Sequence, residues 1–144
     1  MPATNFPEYV RDIQDALDGT VAAGQAVLVS IQIDQRSSLR GFIAGSLQFS
    51  DASELHFREF VDTSLPEPRL MYAYHYQEPN GALIFRYDNA AHRPSLSQAE
   101  HRHTPATVEV TPPPMLAQVV DEILKERPPQ SAGSNETSPS PGRS

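Results

Sequence analysis

The sequence lacks cysteine and long apolar runs. The absence of cysteine among its 144 residues excludes a disulfide framework, a thiolate-ligated zinc site and a cysteine nucleophile. No window approaches the roughly 18 consecutive apolar residues of a membrane-spanning helix. Residues 1–8 also lack the basic start and apolar run of a signal peptide. We therefore expect a cytoplasmic protein with no membrane segment.

Motifs that identify common enzyme classes are also missing. The chain has no glycine-rich phosphate loop, no nucleophile elbow and no His-Glu-x-x-His pattern. With 11 basic and 18 acidic side chains, the net charge is −7, which argues against binding of nucleic acid through bulk charge. A functional site therefore has to be sought in local groups of side chains.

Aromatic residues and prolines are unevenly distributed along the chain. All eleven aromatic residues lie between Phe6 and Tyr87, whereas nine of the fourteen prolines lie from Pro94 onward. We predict one domain over residues 1–127. Residues 128–144 are rich in Ser, Pro and Gly and have no large apolar side chain, so we expect a disordered tail.

Two segments show helical spacing of apolar residues. The first predicts an amphipathic helix of about 12 residues that is capped by Asn5 or Thr4 and ends at Gly19. The second predicts a helix at about residues 115–127, bounded by prolines on both sides. We expect both helices to pack on one face of a sheet.

Five segments alternate apolar and polar residues, as strands do. They cover residues 27–34, 39–49, 55–61, 70–77 and 82–88. Their short connections predict an α+β fold with a five-stranded antiparallel meander. In the first strand, Val27, Val29, Ile31 and Ile33 are expected to share one face. In the second, Gly41 and Gly45 indicate a bulge or a close backbone approach.

A long loop is predicted over residues 90–114, which hold three histidines and two arginines. It follows a strand in which Arg86 and Asp88 share one face. Arg86 is suited to binding a phosphate, and Asp88 to orienting Arg86 or a histidine. The alternatives are a solvated loop and a structural salt bridge.

Other strands contribute further polar candidates. His56 and Arg58 share one face of the third strand and, with Arg86, would form a small cationic surface away from the helices. Opposite Arg86, a three-residue hairpin loop would place Tyr74 and a two-residue loop His75. The stripe formed by tyrosines 72, 74 and 76 predicts either buried core or a surface that stacks on bases.

Two kinds of chemistry fit the segment His101–His103. Its histidines could bind a metal together with His92 or Asp88. They could instead act without a metal: two imidazoles as base and acid, with an arginine stabilising the phosphorane, are sufficient to cleave RNA. We favour the metal-free chemistry and expect no cofactor. Arg102, Arg58, Tyr74 and His75 are candidates for substrate binding.

The sequence resembles the TumE-like family of small bacterial and archaeal toxins. The resemblance rests on residues 85–92 (Phe-Arg-Tyr-Asp-Asn-Ala-Ala-His), on His101–His103, on residues 72–77 (Tyr-Ala-Tyr-His-Tyr-Gln) and on the late helix, and it covers about residues 25–127. It implies a toxin encoded beside a helix-turn-helix antitoxin, with RNA as the target. The working residues that it implies are Arg86, Asp88, His92, His101 and His103. The polar loop at 93–100 and the Ser/Pro tail depart from the family pattern.

Two rival functions and one assembly stay open at this point. The chain could be a non-catalytic module that binds a protein or nucleotide, or a metal-dependent hydrolase. A homodimer is also compatible with the sequence. The metal-free enzyme predicts that at least two of His92, His101 and His103 lie near Arg86 or Asp88, around a concave opening.

Overall fold

A computed structural model of the chain describes residues 3–89 and 100–126. Within these residues the elements are α1 (Phe6–Ala22), β1 (Ala26–Gln35), β2 (Arg40–Phe49), β3 (Glu54–Asp62), β4 (Arg69–Gln77), β5 (Leu83–Asp88), β6 (His101–His103), β7 (Val108–Val110) and α2 (Leu116–Glu126). The strands form one antiparallel sheet in chain order. The predicted α+β meander is therefore confirmed, but it has seven strands among the described residues rather than five.

The two additional strands lie where the sequence predicted a loop. β6 pairs with β5, and β7 pairs with β6, over three residues each. β6 reads His-Arg-His and shows no apolar alternation. In β7, Val108 and Val110 alternate with Glu109, but both valines are exposed. Backbone pairing with the existing sheet edge, rather than burial of apolar side chains, extends the sheet here.

α1 is longer than predicted. Asn5 caps it as expected, since its Oδ1 accepts the backbone N–H of Glu8 at 2.9 Å. The helix continues through Gly19 and reaches Ala22, giving 17 residues. Gly24, just after the helix, has a positive φ of 74°. The glycine that turns the chain at this point is therefore Gly24 and not Gly19.

A β-bulge in β1 changes which of its side chains share a face. The pairing with β2 shifts between Leu28 and Ser30 and leaves Val29 without a pairing position. Across a bulge the alternation of faces is reset. Val27 therefore faces one side of the sheet and Ile31 the other, and the predicted single stripe of four apolar residues is wrong.

Both helices pack on one face of the sheet, here called the inner face. Its core includes Phe6, Leu17, Leu116 and Ile123 from the helices and Ile43, Leu47, Leu55, Tyr72 and Phe85 from the strands. Gly41 makes room for this packing, because a Cβ at that position would lie 2.2 Å from the Phe6 ring. The predicted close approach at Gly41 is confirmed. The opposite side of the sheet is called the outer face.

Some sequence predictions fall outside the described residues. These are the first part of the predicted loop, residues 90–99, which includes His92, and the predicted tail, residues 128–144. Among the described residues, neither helix is long and apolar enough to span a membrane.

Candidate functional site

Four neighbouring strands place a row of polar side chains across the outer face. His56 of β3 pairs with His75 of β4, His75 pairs with Arg86 of β5, and Arg86 pairs with His103 of β6. Residues directly opposite one another in an antiparallel sheet point to the same side. The row therefore joins three imidazoles and one guanidinium.

A bulge in β5 decides which residue of β4 lies opposite Arg86. The β4–β5 loop has three residues, 79–81, a length that by itself would put Tyr74 at that position. Ile84 is an extra residue without a pairing position in β5, and it shifts the register by one. His75 therefore lies opposite Arg86, although the loop is the longer of the two that the sequence left open.

Hydrogen bonds and one close contact join three side chains of this row with Asp88. Arg86 donates from Nε to Oδ2 of Asp88 at 2.8 Å and from Nη1 to Nδ1 of His75 at 3.3 Å. On the other side, Nε2 of His103 lies 3.6 Å from Oδ1 of Asp88. The Asp88 side chain is 6% exposed, whereas that of Arg86 is 31% exposed. A buried carboxylate thus fixes a guanidinium that solvent and ligands can still reach.

The surroundings of His75 disfavour its charged form. Burial lowers the pKa of His75, and the positive charges of Arg86 and His56 lower it further, while Gln77 acts in the opposite direction. A lowered pKa means that a larger fraction of His75 is neutral near pH 7. His75 is therefore available to accept a proton.

A groove of about 710 Å³ crosses the outer face beside this row. Arg58, His56, His75 and Arg86 line it, over a floor that includes Ala44 and Ala73. The sequence prediction that Arg58 and Arg86 share the face away from the helices is confirmed. The groove combines two guanidinium groups with two imidazoles, a composition suited to a phosphate ester.

His101 lies next to this row but is not accessible. It pairs with Asp88 across β5 and β6, and its ring centroid is 6.1 Å from that of His103. The residue is only 1% exposed. Of the three histidines predicted to work with Arg86, the structure describes His101 and His103, both next to Asp88. The His103 side chain is 19% exposed, and its Nε2 is buried near Asp88.

Tyr74 is not brought to the outer face. It is fully buried on the inner face, where its hydroxyl donates to Glu59 at 2.5 Å and accepts from Arg69 at 3.0 Å. The prediction of a substrate-binding Tyr74 is corrected, because β4 alternates and His75 occupies the outer position. Tyrosines 72, 74 and 76 are all buried, which confirms them as core.

Arg102 also belongs to the inner face. Its guanidinium donates to Glu122 of α2 at 2.7 Å and to the hydroxyl of Tyr87 at 3.0 Å. It also lies 4.9 Å from the ring centroid of Phe85. In the strand His101–His103 the middle side chain points to the opposite face from its two neighbours. Arg102 therefore does not make the predicted substrate contact in the outer groove, and its hydrogen bonds join β6 to α2 instead.

Sequence reasoning missed a buried charged cluster on the inner face. Glu59 is 2% exposed and accepts hydrogen bonds from the hydroxyls of Tyr9 and Tyr74. Burial raises the pKa of Glu59 above its ordinary value, although the two hydroxyls and the nearby Arg69 oppose this effect. The available signal was the position of Glu59 between two apolar residues that alternate inward in β3.

Metal ligation was the alternative use of these histidines. Over residues 3–89 and 100–126, no three His, Asp or Glu side chains are grouped so that they could hold a metal ion.

The fold and the site define a small α+β protein with a cationic, histidine-bearing groove on an antiparallel meander. A family model, Toxin TumE, matches residues 20–130, which include α2 and all the strands that the structure describes. The chain belongs to this family of toxins, which confirms the resemblance seen in the sequence, and it is the toxin component of a toxin-antitoxin system with an antitoxin as its partner. No match is found among the curated proteins or among the solved structures.

Proposed function

We propose that this toxin cleaves RNA by metal-independent phosphoryl transfer in the outer groove. The observation that supports this most directly is the arrangement around Arg86. Asp88 fixes its guanidinium at 2.8 Å, and histidines lie on the two neighbouring strands. A fixed guanidinium is a strong phosphate ligand, and imidazoles are the usual proton carriers at neutral pH.

The roles follow from position. Arg86 binds the scissile phosphate and stabilises the charge that develops on its oxygens. His103 exchanges a proton with the substrate, and Asp88 is a positioning residue for both Arg86 and His103. Arg58, exposed in the same groove, is suited to binding a neighbouring phosphate of the same RNA chain.

The other two histidines of the candidate set are not assigned contact with the substrate. His101 is 1% exposed, so we assign it a positioning role behind His103 rather than contact with substrate. His92, which the family resemblance implies, lies outside the described residues and keeps its place only as a candidate.

Cleavage of RNA by the purified full-length protein tests the proposal. We expect wild type to cut single-stranded RNA in the presence of a chelator. Arg86→Ala should lower kcat/KM by about 10²- to 10³-fold, the usual cost of removing one group that stabilises transition-state charge.

Arg36→Ala is a matched control for this experiment. It removes the same charge from an exposed ion pair with Asp34 between β1 and β2, away from Arg86. Its activity should equal that of wild type. RNA binding without cleavage by any variant would instead favour the non-catalytic binding module, and cleavage that requires an added metal would contradict the chemistry.

The proposal also covers the fold of the antitoxin and the surface that it binds. We propose that the antitoxin is a helix-turn-helix protein that covers the outer groove and so blocks Arg86. An equimolar antitoxin should then stop cleavage, and RNA should compete with it for the toxin. An antitoxin that binds without protecting RNA would contradict this arrangement.

A further inference from the structure

We propose that His75 is the catalytic base of this site and that it works with His103 as the acid, one on each side of a phosphate bound by Arg86. The proposal rests on the ribonuclease function proposed above and names its second proton carrier. The sequence suggested His75 only as a substrate contact, and the family resemblance implied histidines 92, 101 and 103 as working residues.

The first argument is the position of the two histidines relative to Arg86. His75 lies on β4 and His103 on β6, and each is the direct cross-strand partner of Arg86 on β5. With a strand spacing of about 4.8 Å, their backbones are about 9.5 Å apart, with the guanidinium between them. A phosphate on Arg86 would therefore have an imidazole on each side.

This placement meets a requirement of in-line displacement at phosphorus. The attacking and leaving oxygens lie on opposite sides of the phosphorus atom, so the base and the acid must also approach from opposite sides. His101 and His103 do not satisfy this condition together, because both belong to β6. His75 and His103 satisfy it.

The second argument is the hydrogen bond between Arg86 and His75. Because a guanidinium only donates, Nδ1 of His75 must be the acceptor, and the proton of the neutral ring is then on Nε2. A phosphate that takes over the Nη1 hydrogen bond leaves a free lone pair on Nδ1 beside it. Substrate binding thus exposes the base at the place where the proton is removed.

The groups around the two rings differ. His75 faces Arg86 on β5 and His56 on β3, both of which disfavour a second positive charge. His103 faces Arg86 as well, but Asp88 on the same strand lies 3.6 Å from its Nε2, and the residue opposite it on β7 is Val108. The carboxylate at that distance orients the ring of His103 beside Arg86 and leaves it the role of the acid opposite His75.

The step balances without a further reactant. Nδ1 of His75 takes the proton of the 2′-hydroxyl, and the 2′-oxygen forms a bond to phosphorus. The bond between phosphorus and the 5′-oxygen breaks, and His103 gives its proton to that oxygen. The products are a 2′,3′-cyclic phosphate and a 5′-hydroxyl.

A change of leaving group tests the two roles separately. We would compare His75→Gln and His103→Gln on two RNA oligonucleotides, one natural and one with sulfur in place of the bridging 5′-oxygen, both with a chelator present. A thiolate leaves without being protonated, so the sulfur substrate does not need the acid. On the natural substrate each variant should lose about 10²- to 10⁴-fold in rate, as expected for an acid or a base.

On the sulfur substrate the two variants should diverge. His103→Gln should regain most of the wild-type rate, whereas His75→Gln should stay as slow as before. A wild-type rate for His75→Gln on the natural substrate, or its recovery on the sulfur substrate, would overturn the assignment of His75 as base. Failure of the wild type to cleave either substrate would overturn the ribonuclease function itself.

A binding measurement covers the case in which His75→Gln does not fold. In wild-type protein, inorganic phosphate should change the imidazole ¹⁵N signal of His75 Nδ1 and raise the pKa of His75, because Arg86 turns to the anion. An unchanged His75 signal at saturating phosphate would contradict the release of Nδ1.

Discussion

Arg86 donates a hydrogen bond from Nη1 to Nδ1 of His75 across β4 and β5, at 3.3 Å. A cation is thereby held against an imidazole, and burial and Arg86 together lower the pKa of His75. The same guanidinium is fixed from the other side by Asp88. In the proposed mechanism, phosphate binding at Arg86 and proton uptake at His75 are therefore linked.

The first prediction concerns the acid limb of the pH profile. Because the pKa of His75 is lowered from 6.5, kcat/KM should rise with pH around a midpoint below 6.5. His56 contributes to the lowering through its positive charge. His56→Asn should therefore raise the pKa of His75 and move the acid limb to higher pH. An acid limb that stays in place would show that His75 does not set it.

The second prediction concerns Asp88 as a positioning residue. Asp88→Asn should leave the chain folded but free Arg86 to move, and misplaced catalytic groups cost about 10²-fold in rate. The loss should appear in kcat and in KM, because Arg86 also binds the ground state. Steady-state kinetics of both constants give the measurement.

Asp34→Asn is the matched control for Asp88→Asn. Asp34 pairs with Arg36 in the same geometry, carboxylate Oδ2 to Nε at 2.8 Å, but on an exposed part of the sheet. Its kinetics should match those of wild type. Equal losses for both variants would mean that the effect of Asp88→Asn is not specific to the site.

The third prediction separates a structural from a substrate-binding Arg102. Arg102→Ala removes hydrogen bonds to Tyr87 and Glu122 and should lower the free energy of unfolding by about 2 kcal/mol. The kcat and KM of the folded variant should be unchanged. Urea unfolding and kinetics on the same sample check this. A raised KM with full stability would restore the substrate-binding role.

The fourth prediction uses the buried Glu59. Its pKa in the folded chain lies above the ordinary 4.5, so the folded state holds a proton that the unfolded state releases. The free energy of unfolding of wild type therefore falls as pH rises from below 4.5 toward the folded-state pKa. The side chain in Glu59→Gln does not titrate, so its free energy of unfolding should not fall in this way. The variant should therefore become more stable relative to wild type as pH rises through this range. Parallel curves of unfolding free energy against pH would contradict the prediction.

The fifth prediction compares two glycines. Gly41→Ala puts a Cβ at 2.2 Å from the Phe6 ring and should cost about 1–3 kcal/mol of stability. Gly19→Ala meets nothing within 4 Å and lies inside α1, so it should add about 0.5–1 kcal/mol. Thermal unfolding of both variants gives the comparison, and a stabilising Gly41→Ala would contradict the packing of α1.

Alternation of side chains carried most of what the sequence predicted correctly. It placed Arg86 and Asp88 together, put Arg58 on the same face and gave the antiparallel meander, while helical spacing gave the two helices. These features depend only on local periodicity, which a single sequence displays.

The features that were missed depend on pairing rather than on periodicity. The extra residues Val29 and Ile84 reset the faces of β1 and β5, and no local pattern marks where a bulge falls. β6 was missed because its pairing with β5 does not require apolar side chains. The inward position of Arg102 followed only once β6 was known to be a strand.

The ends of the RNA fragments test the central claim most directly. Mass spectrometry of RNA cut by the wild-type protein in a chelator should show 2′,3′-cyclic phosphates and 5′-hydroxyls, and Arg86→Ala should slow the formation of both by about 10²- to 10³-fold. Fragments with 3′-hydroxyl and 5′-phosphate ends, or cleavage that appears only after a metal ion is added, would contradict acid–base cleavage around Arg86.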